Sequence, residues 1–202
     1  MRDSRVSSMF ESPELAPEEL AARMLVTPTA LDDLTIADAM KVVGYMRPKV
    51  LRAGTVFIRE GETQRNDYLL LVLEGDITVE SELTGHNESM VVNVIGPGHI
   101  LGEMGLLDGA PRSATCTATT DVVVALLSRT ALMRLMRDEP RVGSRLLLAL
   151  STRMAQRLRE TTRKLRTFAQ MNKAMHEELQ VVMNNRTGLT TGTSTDRRPR
   201  KV

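Results

Sequence analysis

GPGHILGEMGLLDGAPRSAT, residues 96–115, decides how the rest of this 202-residue chain is read. Glycines at 96, 98, 102, 105 and 109 and prolines at 97 and 111 punctuate it, and the central LGEMGLL is too short and too glycine-rich for a long helix. A loop closing on one tight turn of helix is expected. Such a segment can turn consecutive backbone N–H groups toward an anion, because glycine reaches the needed dihedral angles and a helix start leaves its first donors without intrahelical partners. Arg112 adds a permanent positive charge on a bidentate fork suited to phosphate, and Ser113 adds a hydroxyl and its own N–H. Glu103 would repel a phosphate unless it serves another part of the ligand, such as a pair of sugar hydroxyls. One acid and one arginine in one small turn therefore point to a ribose joined to a phosphate. The competing reading is an internal Arg112–Glu103 pair, which would not need the flanking glycines.

Composition allows one domain with a real core plus an extension, or at most two small domains. Tryptophan is absent, there are three phenylalanines and two tyrosines, and methionine reaches thirteen, so packing rests on Leu, Val and Met. The net charge of +2 is unevenly spread: Asn184 to Val202 holds five basic residues against Asp196, a net +4, which leaves −2 for residues 1–183. The basic character thus belongs to the tail. Cys116 is the only cysteine, so neither an intrachain disulfide nor a cysteine zinc site can form, and it reads as a small buried hydrophobe. His86, His99 and His176 lack metal-ligand spacing, and no cofactor is expected. No long apolar run and no apolar signal core at MRDSRVSSMFES are present, so neither a membrane span nor a secretory signal is expected, and the cytoplasm is the expected location.

Residues 1–30 are polar and hold prolines at 13, 17 and 28, which suggests a flexible arm with a short helix starting at Pro17. Leu31 to Arg47 reads as a helix capped by Thr35 with Asp38 in the capping-box position, an apolar stripe of Ile36, Ala39, Met40, Val43 and Met46, and a stop at Pro48. From Val50 the period changes to two. Strands are expected around Val50, at Val56–Ile58, Tyr68–Leu73, Ile77–Glu80, Val91–Ile95, Ser113–Thr119 and Asp121–Leu127. Tyr68–Leu73 is almost wholly apolar, as a strand covered on both faces would be. Short strands between glycine-rich turns argue for a mainly β fold with flanking helices, an antiparallel jelly-roll or β-roll barrel. Ser128 reads as an N-cap for a short helix over Arg129 to Arg137, with Leu132, Leu135 and Met136 facing the barrel.

Pro140 opens a second helix. Leu147, Ser151, Met154, Leu158, Thr161, Leu165, Phe168, Asn172, Met175, Leu179 and Val182 follow an unbroken four-three spacing, and eight of these eleven are apolar. This is the pattern of a long C-terminal coiled-coil helix over residues 140–183, roughly 65 Å in length. No barrel of this size covers that length, so a second copy of the chain is expected along it. Arg153, Arg157, Arg159, Arg163, Lys164 and Arg166 stand on the same helix against Glu160; a solvated face is the expected meaning, with phosphate contact to nucleic acid as the other. Residues 184–202 have no apolar period and read as a disordered basic tail.

The pattern GE-x-G-L-L, followed after four residues by R-S-A-T, resembles the phosphate-binding cassette of the cyclic nucleotide-binding domain family, and the catabolite activator type in particular. The turns Glu60-Gly61, Glu74-Gly75 and Pro97-Gly98 match the family's corners. The resemblance implies a nucleotide-binding domain over residues 31–139 whose leading helix moves when ligand binds. It implies that Glu103 accepts the ribose 2′-OH, that Arg112 holds the cyclic phosphate, and that Ser113 and backbone donors from Gly102 through Met104 to Gly105 assist. The helical stretch SxxMAxRLxxTT resembles the family's dimerisation helix, where a Thr-Ser pair reads adenine; here Thr161 and Thr162 take that place. Relative to that helix the segment from Pro140 to Ser151 is longer by a turn, which leaves the register of the pair open, and Thr161 also fits as a polar seam position.

The resulting expectation is a non-enzymatic homodimeric sensor of cyclic AMP that signals to an effector protein through its long helix. Cyclic GMP is the alternative ligand, since in the family a threonine directly after the cassette arginine often favours guanine and Ser113 occupies that place. A ligand-independent dimeric scaffold associated with nucleic acid, and a cyclic di-GMP sensor on the same fold, are the other readings. The catabolite activators continue into a DNA-reading domain where this chain has nineteen residues, so sequence-specific DNA control by this chain alone is not expected.

Overall fold

A computed structural model of the chain describes residues 16–64, 66–82 and 89–188. These form two units, Met1–Arg153 and Met154–Val202. In chain order the elements are α1 (Pro17–Leu25), α2 (Ile36–Val43), β1 (Arg47–Leu51), β2 (Val56–Ile58), β3 (Tyr68–Glu74), β4 (Ile77–Glu82), β5 (Ser89–Ile95), β6 (Ile100–Leu101), α3 (Glu103–Asp108), β7 (Thr115–Ala118), β8 (Val122–Ser128), α4 (Arg129–Asp138) and α5 (Pro140–Gly188).

The strands make two separate four-stranded sheets, in the orders β1-β8-β3-β6 and β2-β7-β4-β5, with every pairing antiparallel. The expected closed barrel is therefore corrected: among the described residues no hydrogen-bonded strand pair joins one sheet to the other. The reason is strand length. β2 has three residues and β6 two, too few to carry a ladder around a corner. Alternation along β3 creates two cores. Leu70 and Val72 face Ile77, Cys116 and Ala118 of the second sheet, whereas Leu69 and Leu71 face the helices, against Leu25, Val42, Leu135, Leu146 and Leu150. The near-continuous apolar run of this strand follows from burial on both sides.

The N-terminal segment also departs from expectation. Described residues of the expected arm pack into the core, with Ala21, Ala22, Leu25 and Ala30 all buried, and the Thr29 hydroxyl donates to the Gly98 carbonyl at 2.7 Å. Small and apolar residues on one face of α1, with Pro17 at its first turn and Arg23 paired to Glu19 at 3.0 Å, are enough to dock it. Residues 1–15 of that arm lie outside the described residues. α2 is shorter than the expected helix over Leu31 to Arg47. It ends before Gly44, and Arg47 and Pro48 open β1 instead, where an edge position tolerates proline. Its buried face is Ala39, Val42 and Val43, while Ile36 and Met40 stay 43% and 39% exposed. Expected caps are in place: the Thr35 side chain accepts from Asp38 N–H and the Ser128 side chain from Ala131 N–H.

Asp38 links α2 to the start of α5. Its carboxylate accepts from the Thr35 hydroxyl and from the Arg145 guanidinium, each at 2.7 Å. The Thr35 hydrogen bond, with help from Arg145, holds the carboxyl below its usual 3.8 against the opposing effect of burial. A carboxyl lowered on folding stabilises above its unfolded pKa, and that stability is lost as pH falls through the folded value. Asp38→Asn is expected to lower the melting temperature at neutral pH by about 2–4 °C. Thermal unfolding at a series of pH values should show the gap from wild type closing below about pH 4.

α5 runs from Pro140 to Gly188, beyond the expected end at Met183, and its first turns bury Val142, Leu146, Ala149 and Leu150 in the core of the first unit. The coiled-coil reading is corrected. A coiled coil needs a facing helix, and among the described residues none packs along the second unit: Leu158, Leu165, Phe168, Met175 and Leu179 are 54–68% exposed. The side chain of Val182, the last expected seam position, and the tail over residues 189–202 lie outside the described residues.

Candidate ligand-binding site

The cassette is built on left-handed glycines. Gly102, with φ +76°, turns the chain from β6 into α3, and Gly109, with φ +70°, ends that six-residue helix. The first intrahelical bond runs from Leu106 N–H to Gly102 O at 3.1 Å, so the N–H groups before it have no acceptor inside the helix. Glu103 begins α3 and is 2% exposed; Arg112 is 5% exposed. Two carboxylate and guanidinium groups so deeply placed invite an ion pair, yet Arg112 does something else. Its Nη1 donates to Gly102 O at 3.0 Å, its Nη2 donates to Tyr68 O at 3.1 Å, and the guanidinium lies 4.4 Å from the centre of the Tyr68 ring. Among the described residues it makes no salt bridge, so the internal Arg112–Glu103 pair is not what the structure holds.

Three side chains that sequence reading missed hold this arrangement. Tyr68 forms the floor under Arg112 and donates its hydroxyl to Phe57 O at 3.2 Å. Burial pushes the Tyr68 phenol above its usual value, against the pull of the Arg112 charge. Asn66 is buried and donates from Nδ2 to Gly109 O and Ala110 O, both at 2.8 Å, which fixes the loop after α3. Arg129 donates from Nε to Leu106 O at 2.9 Å and from Nη2 to Leu107 O at 2.7 Å, adding positive charge at the C-terminal end of α3. Arg129 left a signal: a cation at the first position of α4 opposes that helix's own dipole, so its charge belongs elsewhere. No local pattern marks Asn66 or Tyr68. The backbone of Arg112 is tied as well, donating to Glu62 O at 3.0 Å and accepting from Gly61 N–H at 2.8 Å.

Of the expected site residues, the structure brings buried Glu103, Gly105 and Arg112 together with half-buried Gly102. Met104 and Ser113 are exposed. Thr161 and Thr162 lie in the second unit, both exposed, with the Thr162 hydroxyl donating to Leu158 O at 2.9 Å. Among the described residues no three His, Cys, Asp or Glu gather as metal ligands, and no helix is long and apolar enough to cross a membrane.

A loop of glycines thus sets a buried arginine and a buried glutamate at the two ends of one short helix. Residues 48–139 match the cyclic nucleotide-binding domain model, so the chain carries a cyclic nucleotide-binding domain over that stretch. The chain is 37% identical to the cAMP-dependent protein kinase regulatory subunit of Yarrowia lipolytica over 106 residues, 52% of this chain and 27% of that protein. A solved cyclic nucleotide-binding domain from Methylobacillus flagellatus, 28% identical, superposes with a TM-score of 0.64 over 73% of this chain and 81% of that one. The catabolite activator protein of Thermus thermophilus, 26% identical, superposes with a TM-score of 0.59 over 72% and 63%. The chain spans 22% to 47% of the length of the first curated relatives it matches.

Proposed function

We propose that this chain is a cyclic nucleotide receptor with cyclic AMP as its ligand, acting as a homodimer through α5 and passing the signal to an effector protein by movement of that helix. One observation carries the ligand reading: Arg112 is a buried cation bonded to carbonyls and, among the described residues, to no carboxylate. A buried charge without a counter-charge is costly, and a bound cyclic phosphate supplies one. Glu103 takes the ribose 2′-OH, the N–H groups of Gly102, Met104 and Gly105 with Ser113 complete the phosphate cradle, and Thr161 and Thr162 read the base.

Calorimetric titration with cyclic AMP, cyclic GMP and cyclic di-GMP tests the ligand, and the expected order of affinity puts cyclic AMP first. Glu103→Ala is expected to weaken cyclic AMP binding by about 1.5–3 kcal/mol for a lost charged hydrogen bond. The penalty should shrink for 2′-deoxy cyclic AMP, and the coupling between the two changes isolates that contact. An equal penalty with both ligands would remove Glu103 from the ribose; heat with none of the three nucleotides would end the receptor reading.

The dimer reading rests on the exposed row Leu158, Leu165, Phe168, Met175 and Leu179, a continuous apolar face too large to leave in water. Sedimentation of the wild-type chain at micromolar concentration should give a dimer, and Leu158→Glu with Leu165→Glu should give the monomer mass, since each variant buries a charge in the interface. A wild-type monomer contradicts the proposal.

A further inference from the structure

Arg159, Arg163, Arg166 and Lys173 recur four, three and seven residues apart, which places them on one line along α5. Arg163 stands two residues from Leu165 and Arg166 two residues from Phe168, more than half a turn around the helix, so this line runs on the side away from the apolar row. All four residues are exposed. Among the described residues the three arginines carry no ion pair, and only Lys173 has one, to Glu177 at 3.9 Å. A dimer that covers the apolar row leaves this face open. Neighbouring arginines on the line rise about 6 Å and about 4.5 Å from one another, a repeat that a row of phosphates can meet.

We infer that this face of α5 is a docking surface for the phosphate backbone of nucleic acid, read without regard to sequence. The chemistry of the face selects that partner over others. Three of the four cations are arginines, whose planar fork binds phosphate oxygens in pairs. No aromatic side chain stands on the line to stack on a base, so contact stops at the backbone. A helix that lies on an anionic membrane inserts its apolar face, and on α5 that would turn Arg163 and Arg166 away from the lipid headgroups. The inference does not depend on which ligand the cassette holds.

Fluorescence anisotropy of a labelled random-sequence duplex of about twenty base pairs, titrated with the full chain at about 50 mM and about 200 mM salt, tests it. Binding that weakens by at least tenfold at the higher salt is expected. The variant Arg159→Gln, Arg163→Gln, Arg166→Gln should bind at least tenfold more weakly, with a log–log salt slope shallower by about two to three. The matching triple lysine variant should retain most of the slope. Circular dichroism and cyclic nucleotide titration of both variants, expected unchanged, separate loss of this surface from loss of the fold or of the cassette. The inference is overturned if the glutamine variant binds like the wild type, if deleting Arg197 to Val202 alone abolishes binding, if vesicles with about a third phosphatidylserine bind while the duplex does not, or if neither binds.

Discussion

Arg112→Ala is expected to weaken cyclic AMP binding by roughly 3 kcal/mol or more, on the order of a hundredfold. On the proposed reading this buried side chain meets the full negative charge of the phosphate, and its loss leaves that charge without its one mobile counter-charge. It also removes the side-chain donor from the Tyr68 carbonyl and one of the two donors from the Gly102 carbonyl, where Leu106 N–H remains, and it uncovers the Tyr68 ring. The affinity loss therefore has a structural companion, and thermal unfolding of the ligand-free variant measures it. Arg112→Lys divides the two contributions. It keeps the charge but cannot bridge two carbonyls and lie flat on the ring at once, so an intermediate affinity is expected. Titration calorimetry that found Arg112→Ala binding cyclic AMP as well as wild type would remove the cassette assignment altogether.

Gly105→Ala should damage the site from the opposite side. A Cβ at position 105 would stand 2.5 Å from the backbone oxygen of Asn66 and 3.0 Å from Nη1 of Arg112. The first neighbour is main chain and cannot rotate away, so α3 has to shift. Overpacking of this kind costs about 3 kcal/mol, and displacement of the Arg112 fork should weaken nucleotide binding by at least tenfold. Chemical denaturation and calorimetry together check it. Unchanged stability and unchanged affinity would show that α3 has more room than the geometry allows.

Much of this protein is written in local runs of residues. The cassette motif, the caps at Thr35 and Ser128, the two-sided burial of β3 and the start of α5 at Pro140 each depend on neighbours a few positions away. Dihedral freedom of glycine, side-chain caps and hydrophobic alternation are short-range effects, and they hold whatever the rest of the chain does. The acid and the arginine of the candidate site were legible for the same reason, since Glu103 and Arg112 lie within one turn-helix-turn.

The tertiary structure decided what those residues meet. Asn66, Tyr68 and Arg129 reach the cassette from other parts of the chain, because β3 pairs with β6 on one side and with β8 on the other. That pairing places Tyr68 under Arg112 and brings the first residue of α4 to the end of α3. Likewise the docking of α1 against the core, the choice of Val42 over Ile36 and Met40 as the buried side of α2, and the division of the described strands into two open sheets are long-range outcomes. Each depends on the summed apolar area that distant elements cover for one another, a quantity that no short run of residues contains.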